Sequence, residues 1–224
     1  MTPRNRLYAK PPMLKENETH WFPMRIRNSS LTRLEEMQKR LDACQEITAT
    51  YAPLHFIRVS MTKMDFAKYL LNYIFVRSTF ASLVKVKSNQ ELFEPLRFVV
   101  HPEYDDKFDA HRTVLTISDK KMDDYMRITE EENKKVIFLN NMDYVCRKSQ
   151  EVQITEGQFA GVLGRIKRIG GNRCVVVPIG REMAVGVMDV PRSCLRYLTA
   201  DEISALEAEE CAPKRRLKFK KVTI

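Results

Sequence analysis

Glycine is scarce in this sequence and is missing from its first 156 residues. All seven glycines lie between Gly157 and Gly186, a window of 30 residues. Glycine is favoured where the backbone takes a positive φ or approaches another segment closely. Its confinement therefore predicts one region of tight turns beside a region without them, and it indicates two structural units in the 224-residue chain.

Signatures of metal, nucleotide and covalent chemistry are missing as well. The five cysteines form no CxxC pair, and the four histidines have no HExxH spacing. No GxxxxGK[ST], GxGxxG or GxSxG segment is present. We therefore expect a protein that is not an enzyme and that uses no metal and no cofactor.

Long apolar runs are absent too. The amino terminus has no apolar stretch of signal-peptide length, and no segment has the length and apolarity of a transmembrane helix. These features predict free thiols in the reducing cytoplasm and no membrane partner.

Positive charge is what the chain has in excess. It contains 38 Lys and Arg against 29 Asp and Glu, which gives a formal net charge of +9 and a pI near 9.3. Such a balance favours a polyanionic partner, above all nucleic acid. The alternative is a soluble protein that happens to be basic.

The first unit is predicted to contain long elements. Residues 1–19 are polar and are expected to be extended or disordered. Alternation in WFPMRIR, residues 21–27, predicts a strand, and Ser29 or Ser30 is expected to cap an amphipathic helix that ends near Cys44.

Two further strands and a second helix are predicted in this unit. The β-like runs cover residues 47–60 and 69–76, and a helix is expected to begin after Ser118. Residues 133–150 are predicted to form a partly docked linker, because Val136–Leu139 is too apolar for a free connection.

The glycine-rich unit is predicted to consist of short strands joined by tight turns. Residues 163–169 and 173–179 flank Gly170-Gly171-Asn172, which is a strong hairpin signal. Short strands over residues 151–199 favour a small SH3-like barrel. Residues 200–224 are expected to form a short acidic helix, opened by a Thr199–Glu202 capping box, and a basic tail.

The segment VQITEGQFAGVLGRIKRI, residues 152–169, resembles the KOW motif of the NusG family of transcription elongation factors. WFPMRIR with its helix resembles the opening of the NusG amino-terminal domain, and TISDKKMDDYM, residues 116–126, resembles the start of that domain's last helix. The KOW motif residues are Gly157, Phe159, Gly161, Gly164, Arg165 and Lys167.

This resemblance implies an α+β fold in two domains. Residues 20–132 would form a NusG amino-terminal-type domain, an antiparallel sheet with flanking helices, and residues 151–199 a small all-β KOW barrel. Within the family the chain looks closest to the UpxY-type paralogues of surface-polysaccharide operons, which implies antitermination. Leu71-Asn72 departs from the family's usual Pro-Gly, which puts the local turn and the footprint on the polymerase in doubt.

The resemblance also implies two binding surfaces. An apolar surface would receive the clamp region of RNA polymerase, although its residues are equally suited to the core of a sheet. A basic surface would contact non-template DNA or nascent RNA, although it is equally suited to be a solvated face or tail. The apolar set is Trp21, Phe22, Tyr69, Leu71, Tyr73 and Phe75; the basic set is Arg25, Arg27, Lys39, Arg40, Lys214, Arg215 and Arg216.

The rival hypothesis is a KOW-containing protein that binds the ribosome or RNA and makes no contact with polymerase. The KOW motif alone does not separate the two hypotheses, since it also occurs in ribosomal proteins. In the first hypothesis the KOW domain would itself contact a ribosome or a termination factor.

Overall fold

The computed structural model describes residues 17–27, 29–60, 70–89, 93, 95–104, 110–131, 135–139, 150–179 and 183–210. Helices and antiparallel sheets are combined in the same chain, which confirms the mixed fold class. No helix in these ranges is long and apolar enough to cross a membrane.

A four-stranded antiparallel sheet organises the first region, with the strand order β2-β3-β1-β4. Its central strand β1 pairs with β3 on one side and with β4 on the other. The strands are β1 (Thr19–Ile26), β2 (Ala49–Tyr51), β3 (Tyr73–Thr79) and β4 (Leu96–Phe98). A separate hairpin is formed by β5 (Val100–Tyr104) and β6 (Ala110–Val114).

Helices of the first region begin at residues that cap their free amide groups. The side chains of Ser30, Thr79 and Ser118 each accept a hydrogen bond from the amide three residues ahead. Of the two predicted caps, Ser29 and Ser30, the second is confirmed, and a helix begins after Ser118 as predicted. The helices are α1 (Leu31–Asp42), α2 (Leu54–Ser60), α3 (Phe80–Ser88) and α4 (Asp119–Glu130).

The second region is a six-stranded antiparallel sheet in the order β12-β8-β9-β10-β11-β7. Its strands are β7 (Val136–Leu139), β8 (Glu151–Ile154), β9 (Leu163–Ile169), β10 (Asn172–Ile179), β11 (Met183–Met188) and β12 (Leu195–Tyr197). A 3-10 helix, Arg192–Cys194, precedes β12, and α5 (Ala200–Glu210) follows it. Thr199 and Glu202 form the predicted reciprocal capping box.

The separate KOW barrel is not confirmed. The end strands β12 and β7 do not pair with each other in the part of the chain that the structure describes, so this sheet stays open. β7 comes from the segment predicted as a linker, and it pairs with β11 from Leu139 opposite Ala184 to Val136 opposite Val187.

Two strand predictions in the first region are confirmed only in part. Within residues 47–60 only Ala49–Tyr51 is a strand, because Pro53 has no amide for a sheet and its carbonyl instead accepts the Ile57 amide of α2. The strand predicted from residue 69 begins at Tyr73, opposite Arg25, where its partner β1 is about to end.

One hydrophobic cluster joins the two regions, and helix α4 lies at its centre. The ring of Tyr125 is 5.1 Å from that of Phe75 in the first sheet and 6.2 Å from that of Phe138 in β7. Both sheets therefore bury apolar surface against the same helix, which is the main source of cohesion between them.

Candidate nucleic-acid interface

Strands β1 and β4 bring three arginines to one face of the first sheet. Arg25 and Arg27 are two residues apart, and Arg97 lies directly opposite Arg25 in the antiparallel register. Side chains at alternate positions, and at opposed positions of paired strands, point to the same face. The intervening Ile26 points the other way and is buried.

These arginines line an open cleft with a volume of about 340 Å³. Its lining is completed by Ile26 and Asn72. The Ile26 amide donates to the Asn72 carbonyl at 2.7 Å. The Arg27 amide donates to the Pro95 carbonyl at 3.1 Å, so main-chain bonds on both sides hold the rim of the cleft. The Arg25 guanidinium lies 5.8 Å from the centre of the Tyr73 ring, a cation–π distance.

No carboxylate is among the described residues that line this cleft. Arg25 and Arg27 make no ion pair with any residue that the structure describes. Arg97 donates to the Leu96 carbonyl at 2.9 Å. Like charges placed directly opposite in a sheet destabilise it, so a bound anion that bridges Arg25 and Arg97 would stabilise this arrangement.

A lysine on the neighbouring helix reports the same local field. The Lys87 ammonium in α3 donates to the Leu96 carbonyl at 2.7 Å. Its pKa is lowered chiefly by burial and further by the charge of Arg97. The charge of Arg97 therefore disfavours a second positive charge on the neighbouring helix.

The remaining predicted nucleic-acid residues are not brought to this cleft. Lys39 and Arg40 are exposed in the last turn of α1 and do not line it. Lys214, Arg215 and Arg216 lie outside the described residues. The basic set is thus divided by the structure, with Arg25 and Arg27 together and Lys39 and Arg40 apart from them.

The predicted apolar binding set is buried wherever the structure describes it. Trp21 and Leu71 are 5% and 7% exposed, and Phe22, Tyr73 and Phe75 are at most 1% exposed. These five side chains form core, which corrects their prediction as a contact surface. The physical reason is that both faces of the first sheet are covered, since Ile74 and Val76 are buried along with Tyr73 and Phe75. Tyr69 lies outside the described residues.

The predicted KOW residues lie in the turn that follows β8 and in β9, so they belong to one strand–turn–strand unit. Gly157 and Gly161 have φ values of 80° and 91°, and Phe159 between them is buried. A side chain at Gly164 would meet the Val176 carbonyl oxygen at 2.8 Å. Arg165 is paired with Glu151 at 2.8 Å, while Lys167 is half-buried.

Helix α4 holds the glycine turn of this unit. The Arg127 guanidinium donates to the carbonyls of Gln158 and Ala160, and the Lys120 ammonium donates to that of Gly161. The Asp124 carboxylate accepts from Lys120 and from the Leu163 amide, and its side chain is almost completely buried. Spaced about one turn apart on one helix face, these three side chains satisfy the polar groups of the turn.

Arg97 and Asn72 are the cleft residues that sequence reasoning missed. Arg97 begins the short β-like run RFVV, residues 97–100, but its pairing partner is more than seventy residues earlier in the chain. No local pattern gives the register of so distant a pair. The only signal was the basic residue at the start of that strand.

Comparisons with known proteins add little to the geometry. No protein-family model and no curated protein matches this sequence. A solved structure on domain interaction in Thermotoga maritima NusG is similar over 81% of this chain and 98% of that chain, with 18% identity and a TM-score of 0.39. Values this low assign neither a family nor a function.

Proposed function

We propose that this protein is a NusG-like transcription elongation factor that acts as an antiterminator, binding RNA polymerase and nucleic acid in the cytoplasm. It would keep the polymerase processive by binding alone, without covalent chemistry. The resemblance to UpxY-type paralogues supports surface-polysaccharide operons as its targets.

The observation that carries the proposal is the arginine cleft. Three arginines line it, with no carboxylate among the described lining residues, and such a surface suits the phosphates of a nucleic-acid backbone. Arg25 stacked on Tyr73 is held in place before any ligand binds, so less side-chain entropy is lost on binding. A factor that stays with transcribing polymerase needs such a contact to DNA or RNA.

The KOW-like unit would supply a second partner site. Its turn carries the residues on which the resemblance to KOW motifs rests, and its strands lie in an open sheet. We expect it to contact the ribosome or a termination factor. Polymerase contact is expected at exposed edges of the first region, because the aromatic residues of its sheet are buried.

Affinity capture from host lysate after nuclease treatment tests the proposal. RNA polymerase subunits should remain bound to the tagged protein once DNA and RNA are digested. Recovery of ribosomal RNA or ribosomal proteins alone, with no polymerase, would instead support the rival RNA-binding function.

A matched pair of variants tests the cleft itself. Arg25→Gln/Arg97→Gln removes two charges from the cleft, and Lys39→Gln/Arg40→Gln removes two exposed charges elsewhere on the same region. For single-stranded DNA, losing two phosphate contacts should lower the slope of log affinity against log salt by about 1.4. Equal slopes for both variants would show that net charge, and not the cleft, determines binding.

A further inference from the structure

A second pair of opposed arginines lies in the other sheet, on the hairpin formed by β9 and β10. Arg168 and Arg173 face each other directly in the antiparallel register. Arg168 is exposed and Arg173 is half-buried. They share the sheet face on which Ile166 and Val175 pack into the core, one pair beyond the edge of that core.

The turn of this hairpin fixes the distance between the two arginines. Gly170 and Gly171 have φ values of 56° and 86°, and Ile169 pairs with Asn172 across them. A two-residue loop with both φ values positive is a type I′ turn, which matches the twist of the strands. The pair closing such a turn is hydrogen-bonded and the next pair, here Arg168 and Arg173, is not, so opposing side chains come closest there.

Neither arginine makes an ion pair with any residue within the described ranges. Asp189 lies across from Arg173, but the bond between them joins its amide to the Arg173 carbonyl. Other arginines of this sheet are neutralised, since Arg165 pairs with Glu151 and Arg196 with Glu202. The hairpin tip therefore carries two like charges at directly opposed positions, an arrangement that destabilises a sheet.

We propose that this arginine pair is a second nucleic-acid contact, which binds neighbouring phosphates of a single strand. Side chains at opposed positions of paired strands lie side by side, so the two arginines can reach neighbouring phosphates of one backbone. Residues 163–179 contain no aromatic side chain that would stack on a base. Binding by the hairpin is accordingly independent of base sequence.

This inference goes beyond the arginine cleft, because it places a nucleic-acid contact in the region that resembles a KOW unit. It does not depend on polymerase binding. The two opposed pairs, Arg25 with Arg97 and Arg168 with Arg173, give each sheet one cationic point of contact.

Binding of the full-length chain to a 20-nucleotide single-stranded RNA of mixed sequence, followed across a salt series, tests the hairpin. Arg168→Gln/Arg173→Gln should raise Kd about tenfold at 0.1 M salt and lower the salt slope by about 1.4. The matched control Lys39→Gln/Arg40→Gln removes two exposed charges from helix α1 and should leave the slope closer to that of the wild type. A hairpin variant with the affinity and slope of this control would overturn the proposal.

A single charge reversal separates binding from folding. Arg168→Glu creates an ion pair with Arg173, so the melting temperature should rise while RNA affinity falls at least as far as in the double Gln variant. Unchanged RNA affinity in this well-folded protein would also overturn the proposal. The same variants can be tested for binding to an immobilised acidic peptide. If they lose affinity for the peptide but keep their affinity for RNA, the partner is a protein and the nucleic-acid assignment is wrong.

These measurements also stand apart from the proposed elongation function. Loss of RNA affinity in the hairpin variant with polymerase capture intact would uphold the hairpin contact. Failure of polymerase capture in the wild type would leave the RNA measurement unaffected.

Discussion

The two sheets of this protein are built by opposite strategies. The first has no glycine, and its central strand pairs with segments 48 or more residues away, from Arg25 opposite Tyr73 to Arg25 opposite Arg97. The second connects most of its strands through short turns, several of them at glycine. Local turns therefore determine the strand pairing of the second region, whereas tertiary packing determines that of the first.

Both regions nevertheless depend on helix α4. In the first region Tyr125 contacts the aromatic rings of Tyr51 and Phe75, and towards the second it contacts Phe138. Arg127 bonds the glycine turn from the same helix. Substitutions in each region should therefore differ in size and in mechanism, according to whether they disturb core, close approach or surface.

The largest effect is expected in the packed first region, for Tyr73→Asp. Tyr73 is 1% exposed, and a carboxylate there would be desolvated in the core. We expect the free energy of unfolding to fall by more than about 4 kcal/mol, measured by urea denaturation. Tyr73→Phe is the control and should lose no more than about 1 kcal/mol. A Tyr73→Asp protein that melts like the wild type would show that this residue is not core.

A smaller effect is expected from close approach in the second sheet, at Gly186. A methyl group there would lie 2.5 Å from the Cys174 Sγ atom. Gly186→Ala should destabilise by about 2 kcal/mol through overpacking. Adding Cys174→Ala removes the sulfur and should restore part of this loss, which a double-mutant cycle would measure. Additive losses would contradict the packing at this site.

The third-largest loss of stability is expected where Arg127 of helix α4 bonds to the glycine turn of the second region. Arg127→Ala removes the bonds to the carbonyls of Gln158 and Ala160 and should lower stability by about 1 kcal/mol. Glu130→Ala, at an exposed position of the same helix, is the control. Hydrogen exchange should rise in the glycine turn of the Arg127 variant and stay unchanged in the control. Equal exchange in both would mean that the guanidinium does not hold the turn.

The smallest effect is expected from a surface ion pair in the first region. Arg77 donates to the Asp119 carboxylate at 3.1 and 3.0 Å, which holds the pKa of that carboxyl below its usual range. The ion pair stabilises the fold at pH values above the pKa that Asp119 has in the unfolded chain. This stabilisation is lost as the pH falls through the lower pKa of Asp119 in the folded protein. Asp119→Asn should cost about 0.5 kcal/mol at pH 7, and urea denaturation should find little difference from wild type at pH 2. The same difference at both pH values would exclude an electrostatic cause.

Local sequence signals predicted part of this structure well. The Ser30 cap, the helix start after Ser118, the Thr199–Glu202 box and the Gly170-Gly171 hairpin each depend on residues within a few positions of one another. Those interactions are encoded in short segments, so a pattern can identify them.

Non-local features were not predictable in the same way. Helix α2 begins directly after Pro53, within a run predicted as β-like. Both faces of the first sheet are buried, so the expected apolar surface is not exposed. The register that sets Arg97 opposite Arg25 depends on the assembled sheet. Half of the arginine cleft was therefore found from sequence, and its other half required the fold.

Single-round transcription with the host's purified RNA polymerase tests the proposed function most directly. Wild-type protein should increase read-through of a terminator, and Arg25→Gln/Arg97→Gln should lose most of this increase while Lys39→Gln/Arg40→Gln keeps it. A wild-type protein that binds single-stranded nucleic acid but changes neither pausing nor read-through on any template of its own genome would contradict the assignment as an elongation factor.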